Sequence, residues 1–310
     1  MKAFVTGGTG FIGSKLVDSL INRSYIVTAY DNLSSGKMEF VEKHEADPNF
    51  NLIKADMLDF ETLKKSMKGH DIVFHLAANA DIRYGTEHPK HDMEQNLIAT
   101  HNVLESMRQN NINKLVFSST SAVFGFPSVI PTPENYGPAL PASLYGASKL
   151  ACEAFISAYS NLYGIQSWIF RFANVIGKRV THGILHDFLV KLEKKPAELE
   201  ILGDGEQEKS YLYDEDCVEA MLHVIERAPE TISVHNIGSG DQIKVKKIAQ
   251  IIVDELGIKP KFIFTGGPVG WKGDVPKMQL DIKKIISLGW KPKYNSEQAV
   301  RISVKGLKEK

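Results

Sequence analysis

Short apolar, β-branched runs alternate with longer stretches of helical periodicity through the first half of the chain. Strands are expected at Lys2–Thr6, Tyr25–Asp31, Asn51–Ala55, Asp71–Ala77, Lys114–Ser119 and Gln166–Phe172, and helices over 12–22, 59–68, 92–109 and 145–162. In the last helix Leu150, Ala154, Ala158 and Leu162 make an apolar stripe at four-residue steps. Strands apolar on both faces and separated by helices predict an α/β fold with a doubly wound parallel sheet. Past residue 172 glycine- and proline-bearing loops become frequent, and helices are expected at 243–256 and 295–307 between short strands. This part reads as a second, smaller α/β lobe. The charged stretch Lys191–Glu200 reads as a solvated helix face and its exit. The expected division is a first domain of 1–172, with 211–236 returning to it, and a second lobe of 173–210 and 237–310.

Composition narrows the partners. The 310 residues are 43% hydrophobic and 24% charged, which excludes disordered and collagen-like classes. Basic and acidic residues number 37 each, with no basic cluster, so neither nucleic acid nor a membrane surface is expected as a partner. Two cysteines, Cys152 and Cys217, give no disulfide framework and suit a reducing compartment. Met1 leads almost directly into the first strand, and no apolar run approaches the ~18 residues of a membrane span. A cytoplasmic location is expected.

The segment Thr6–Gly13 reads Thr-Gly-Gly-Thr-Gly-Phe-Ile-Gly and lies between the first strand and first helix. Gly7, Gly10 and Gly13 allow a tight turn, close approach to a pyrophosphate and packing of the helix on the sheet. The helix N-terminus then directs unpaired N–H groups at phosphate. Asp31 ends the second strand, where a carboxylate accepts hydrogen bonds from an adenosine ribose and repels a 2′-phosphate. The pattern predicts a Rossmann-type dinucleotide site with NAD favoured over NADP. Asp56 and Met57, after the third strand, are placed to meet the adenine, with a plain surface turn as the competing reading.

Tyr145 and Lys149 are four apart at the start of a helix and share a face. An ammonium group close to a phenol favours phenolate, so Tyr145 is expected to titrate below its usual ~10. The segment Phe117–Gly125 closes the fifth strand with hydroxyls at the carboxyl end of the sheet, where doubly wound folds bind ligands. His182 and His186 imitate a helical metal pair, but no glutamate stands at the required place and Gly183 weakens the helix, so no metal is expected. Cys152 reads as a small packed residue.

With these motifs in place the chain resembles extended short-chain dehydrogenases/reductases, in the branch of nucleotide-sugar epimerases and dehydratases, over essentially its whole length. The motifs are Thr6–Gly13, Asp31–Gly36, Val73–Ala78, Ser118–Gly125, Tyr145–Lys149, Arg171–Asn174 and Ile201–Gly205. The likeness is strongest to UDP-glucose 4-epimerases, including an archaeal type with a segment matching Gly270–Asp274. The resemblance implies Tyr145 as acid/base, Lys149 as its partner and ribose ligand, and Thr120 as the hydroxyl on the reacting sugar oxygen, with Ser119 and Ser121 as alternatives. It implies NAD contacts at Gly7, Gly10, Phe11, Ile12, Gly13, Asp31, Asn32, Ser35, Gly36, Asp56, Met57, Leu76, Ala77, Ala78, Asn96, Ser118 and Phe172. Family dehydratases and decarboxylases carry acids after the threonine; Ser121 and Ala122 stand there instead. The expected reaction is 4-epimerisation of a UDP-hexose through a 4-keto sugar. The rivals are a dehydrogenase or 4-ketoreductase on a dTDP- or CDP-sugar, and an idle NAD-binding regulator.

By the same resemblance Asn174 and the backbone at Gly183 and Ile184 meet the substrate diphosphate, and Asp274 belongs to the substrate-binding segment. Two arginines common in the family are replaced by Lys209 and Trp271, with Lys272 adjacent. Met278 stands near the place that controls room for an N-acetyl group, and its flexibility suits both glucose and N-acetylglucosamine. A homodimer through the helices near 92–109 and 145–162 is implied, with Leu97, Leu104 and Met107 beside the second helix.

Overall fold

The computed structural model describes residues 1–271 and 273–308. Its first half runs β1 (Lys2–Thr6), α1 (Phe11–Asn22), β2 (Ile26–Asp31), β3 (Phe50–Lys54), α2 (Phe60–Met67), β4 (Ile72–His75), α3 (Ile82–Glu87), α4 (Pro89–Asp92), α5 (Ala99–Gln109), β5 (Lys114–Thr120), α6 (Leu144–Tyr163) and β6 (Gln166–Phe172). It continues through β7 (Asn174–Ile176), α7 (Ile184–Lys194), β8 (Glu198–Ile201), β9 (Glu208–Lys209), β10 (Tyr211–Tyr213), α8 (Asp214–Ile225), β11 (Ile232–Ile237), β12 (Ile243–Lys244), α9 (Val245–Leu256), β13 (Lys261–Phe264), β14 (Lys277–Met278), α10 (Lys283–Ser287) and α11 (Ser296–Lys308).

Two compact units result. Met1–Val123, Ser143–Arg171 and Val224–His235 form the first; Phe124–Ala142, Phe172–His223 and Asn236 onward form the second. The sequence division therefore shifts at two places. Residues 124–142 join the second unit, and of the expected return 211–236 only Val224–His235 joins the first. The reason lies in the pairing of β10, which runs parallel to β7 and not in the large sheet.

Seven strands form that sheet in the order β11-β6-β5-β4-β1-β2-β3. The pairs β1–β2, β1–β4, β2–β3 and β4–β5 are parallel, as the doubly wound expectation requires. Ala3, Phe4 and Val5 of β1 and Val73 and Phe74 of β4 are fully buried, the result of a sheet covered on both faces. Thr6 pairs with both Tyr30 and His75, so β1, β2 and β4 end level. The strand order reverses between β1 and β4, and a ligand crevice opens at such a switch point. Leu63, Met67, Val103, Leu104, Met107 and Ile156 share one core cluster.

Two helical expectations change. The helix foreseen over 92–109 is α4, a π-helical turn Met93–Ile98 and then α5. In α6 the stripe of Leu150, Ala154, Ala158 and Leu162 does not face the core: Ala154 and Ala158 are exposed and Leu162 is 72% exposed. The buried face carries Ser148, Lys149, Cys152, Glu153, Ile156 and Ser160. Its polar groups are satisfied internally, so apolar periodicity marks the wrong side. Leu104 and Met107 are fully buried within their own unit.

The second unit holds three small sheets: β10-β7, β12-β9-β14 and β13-β8. Ile248, Ile251 and Ile252 of α9 and Ala299 and Val300 of α11 are fully buried.

Candidate active site

The glycine loop is as tight as its composition suggests. Gly7 has φ of 69°, and a Cβ there would lie 2.8 Å from the Ala77 nitrogen. A Cβ on Gly13 would lie 1.9 Å from the Gly7 carbonyl oxygen, and one on Gly10 would lie 3.1 Å from it. Gly10 caps α1 without a side-chain hydrogen bond, and the first turn holds no acidic residue. The leading N–H groups, at Phe11, Ile12 and Gly13, are thus left for an anion. Asp31 is 8% exposed; its Oδ2 accepts from the Thr9 nitrogen at 3.0 Å and its Oδ1 from the Leu33 nitrogen at 2.9 Å. A Cβ on Gly36 would come within 3.1 Å of Asp31 Oδ2, so the loop after β2 closes over this carboxylate. Asn32 donates to Asp56 Oδ2 at 2.9 Å, joining the ends of β2 and β3. Met57 is buried, and Ser35 is exposed at the loop tip. Leu76, Ala77 and Ala78 follow β4, with the Ala77 nitrogen donating to Thr6 Oγ1 at 3.3 Å. These residues make a cradle that fits a dinucleotide such as NAD.

The hydroxyl cluster at the end of β5 divides its tasks. Ser118 Oγ donates to the His75 carbonyl at 3.4 Å, and Ser119 Oγ donates to Glu153 Oε1 at 2.5 Å. Thr120 Oγ1 accepts the Ala122 nitrogen at 3.1 Å and is close enough to the Tyr145 phenol to lower its proton affinity. Ser119 is committed elsewhere, so Thr120 is the hydroxyl beside the tyrosine. Ser143 caps α6, its Oγ accepting the Gly146 nitrogen at 3.1 Å, which sets Tyr145 in the first turn.

Burial pushes the Tyr145 phenol up to about 12, with added repulsion from Asp92 and Cys152, although Thr120 pulls it down. The expected lowering by Lys149 is therefore not seen. The Lys149 ammonium donates to the Ser118 carbonyl at 2.7 Å and lies 4.4 Å from the centre of the Phe117 ring. Its own burial brings it down to about 8.

Two features behind the pair escape sequence reading, and a third, Asn96, is expected from sequence as a cofactor contact but not as part of the network behind the pair. Glu153, one turn past Lys149, is a buried partner of Arg171 at 2.6 Å; its i+4 spacing from Lys149 is the signal that was there to find. His75 has both ring nitrogens engaged, by Thr6 at 2.7 Å and Thr100 at 2.9 Å, and burial brings it down to about 3. Asn96 donates to Ser148 Oγ at 2.9 Å and accepts the Asn79 nitrogen at 2.8 Å.

Within the second unit Lys209, Trp271, Asp274 and Met278 come together. Lys209 Nζ pairs with Asp274 Oδ1 at 2.5 Å and lies 5.1 Å from the centre of the Trp271 ring. Asp274 Oδ2 accepts the Gly270 nitrogen at 2.9 Å, and Met278 stands opposite Lys209 in the parallel pair β14–β9. Lys272 lies outside the described residues. Asn174 Nδ2 donates to the Ser210 carbonyl at 3.1 Å, so its amide is already tied to the neighbouring strand. Gly183, with φ of 85°, caps α7 without a side-chain bond and Ile184 begins that helix. Phe172, at the end of β6, and Ala173 are buried. Ser121 opens the short turn Ser121–Phe124.

Known proteins resemble this chain along its full length. A UDP-glucose 4-epimerase of Mycolicibacterium smegmatis is 30% identical over 317 residues, covering 100% of this chain and 99% of that protein. A solved UDP-galactose 4-epimerase is 40% identical with a TM-score of 0.90, covering 100% of this chain and 99% of its own. The UDP-N-acetylglucosamine 4-epimerase of Methanobrevibacter ruminantium, in complex with UDP-N-acetylmuramic acid, is 31% identical with a TM-score of 0.89, covering 99% and 98%. The NAD dependent epimerase/dehydratase family matches residues 3–238, and the chain belongs to that family.

Proposed function

We propose that the chain is an NAD-dependent 4-epimerase of UDP-glucose and UDP-galactose that also accepts their N-acetyl counterparts. The pair Thr120–Tyr145, with the threonine hydroxyl acting on the phenol at the carboxyl end of β5 and Lys149 one helical turn along, is the observation that carries this reading. It combines with Ser121 and Ala122, which hold no carboxylate for eliminating water or carbon dioxide.

In this reading Tyr145 removes the C4 hydroxyl proton, and Thr120 orients that hydroxyl with its own Oγ1. NAD, when bound, contributes a ring that can take up the C4 hydride and return it, leaving no net redox change. A phenol at about 12 is a poor base at neutral pH, so the ionised form must be favoured as the site fills. Lys149, at about 8, retains most of its charge at pH 7 and supplies that field while holding the strand end through Ser118. After the 4-keto sugar turns over, Tyr145 gives the proton back. Asn174, Gly183, Ile184, Lys209 and Trp271 are assigned to the diphosphate and nucleotide. Asp274 already neutralises Lys209, so we assign the lysine and the tryptophan a stacking and shaping role with little net charge.

We extend the reading to a cytoplasmic homodimer. Among the described residues no helix is long and apolar enough to cross a membrane. Phe155 and Leu162 on α6 and Ile98 beside α5 are exposed at 41%, 72% and 41%, an apolar face suited to a second copy.

Proton NMR of the anomeric signals tests the activity, with protein and NAD added to UDP-glucose and then to UDP-N-acetylglucosamine. The expected result is the galacto isomer at a fixed ratio without NADH accumulation. NADH accumulation would favour a dehydrogenase, and two silent spectra would remove the UDP assignment.

A further inference from the structure

Asp92 is a buried carboxylate for which the reaction as described has no use. It ends α4, is 1% exposed, and faces no lysine or arginine among the groups that perturb it. Its Oδ1 accepts the Asn79 amide at 2.7 Å and the Asn96 amide at 3.5 Å. Its Oδ2 is buried with no hydrogen-bond partner among the described residues. That oxygen lies against Gly85, where a Cβ would come within 2.0 Å of it, so α3 is built to leave the carboxylate room. Buried, half-satisfied carboxylates are costly and need a reason.

Two connections supply one. Asn96, held by Asp92, donates to Ser148, the residue before Lys149, and Ser148 in turn donates to the Tyr145 carbonyl at 2.8 Å. Asp92 also acts electrostatically on the Tyr145 phenol. The groups facing the phenol are Thr120 from β5, Asp92 from α4 and Cys152 from its own helix, with Lys149 four residues on. Those facing Asp92 are Asn79, His91 and Asp81, the last two with opposite effects.

We propose that Asp92 is a positioning residue for the acid/base pair: its Oδ1 anchors the chain Asn79–Asn96–Ser148 behind the catalytic helix, and its carboxyl group acts on the Tyr145 phenol from α4. The inference rests on the reading of Tyr145 as the acid/base. Burial raises the Asp92 carboxyl itself, and in its ionised form it holds the proton of the Tyr145 phenol.

The test measures epimerase turnover against pH for wild type, Asp92→Asn, Asn79→Ala and Tyr145→Phe. Asp92→Asn should move the acid limb to lower pH by roughly half a unit or more, with turnover at the plateau reduced by less than tenfold. Asn79→Ala keeps the carboxylate in place but removes a bond that favours its charged form. It should move the limb the same way by less, and it reports even if Asp92→Asn does not fold. An acid limb unmoved in both folded variants, with Tyr145→Phe inactive, overturns this inference alone. An active Tyr145→Phe overturns the reading of Tyr145 and the inference with it.

Discussion

Arg171→Met isolates the buried ion pair that ties the catalytic helix to β6. The Arg171 and Glu153 side chains are 10% and 8% exposed. Arg171 Nε and Nη2 donate to Glu153 at 3.0 and 2.6 Å, and Ser119 adds a third donor from the end of β5. Removing the guanidinium strands a buried carboxylate with the serine as its remaining donor of the three. Breaking one side of such a pair costs about 3–5 kcal/mol, whereas replacing both sides with neutral groups is close to neutral. For a body of 150–250 residues each kcal/mol shifts Tm by about 2–4 °C, so Arg171→Met should lose roughly 6–20 °C. Glu153→Gln with Arg171→Met should recover more than half of that loss. Urea and thermal unfolding followed by circular dichroism would measure the four corners of the cycle. The single variant should also lose activity disproportionately, because Ser119 and Thr120 share the strand end that Glu153 holds. A cost below about 1 kcal/mol for Arg171→Met, or a double variant no better than the single, would refute the reasoning.

Gly13→Ala places a methyl group 1.9 Å from the Gly7 carbonyl and should abolish NAD binding measured by calorimetry, in protein whose circular dichroism shows it folded. His75 titrates near 3 in the folded chain against 6.5 when unfolded, so the unfolded state binds more protons between those values. Stability from this group is complete above pH 6.5 and drains away toward pH 3, on the order of 4 kcal/mol; His75→Gln should flatten that part of the stability–pH curve. Lys209→Ala should raise the KM for a UDP-sugar several-fold with kcat within about threefold, since Lys209 shapes Trp271 and Asp274 within the second unit and is assigned to binding and not to proton transfer. An equal fall in kcat would count against that assignment.

The sheet was legible because its signals are local: uninterrupted apolar strands, a glycine loop of fixed spacing, and Asp31 at a strand end. The pair Tyr145–Lys149 could be found from helical spacing only together with the hydroxyl segment Phe117–Gly125 at the end of a strand. The electrostatic state of that pair could not, because it depends on where Lys149 points and on how deeply Tyr145 is buried. The stripe on α6 misled for a related reason. A helix face that carries Lys149, Glu153 and Cys152 looks polar in sequence, and only partners distant in the chain, Arg171, Ser118 and Thr100, make it a core face. Asp92 was invisible for the same cause, since its partners at 79, 85 and 96 converge only once α3 and α4 fold back.

Gly10 leaves the first turn of α1 without a side-chain cap or an acidic neighbour. Among the soluble ways to complete a helix end, this one hands the task to a dissociable molecule. Binding of a diphosphate there adds stability to the first unit, and its melting temperature becomes a function of dinucleotide concentration. At a hundred times the dissociation constant the gain is about 2.7 kcal/mol, a sizeable fraction of the stability of an ordinary domain. Cofactor supply would thereby set how much of this protein survives in a cell, quite apart from how fast each copy turns over.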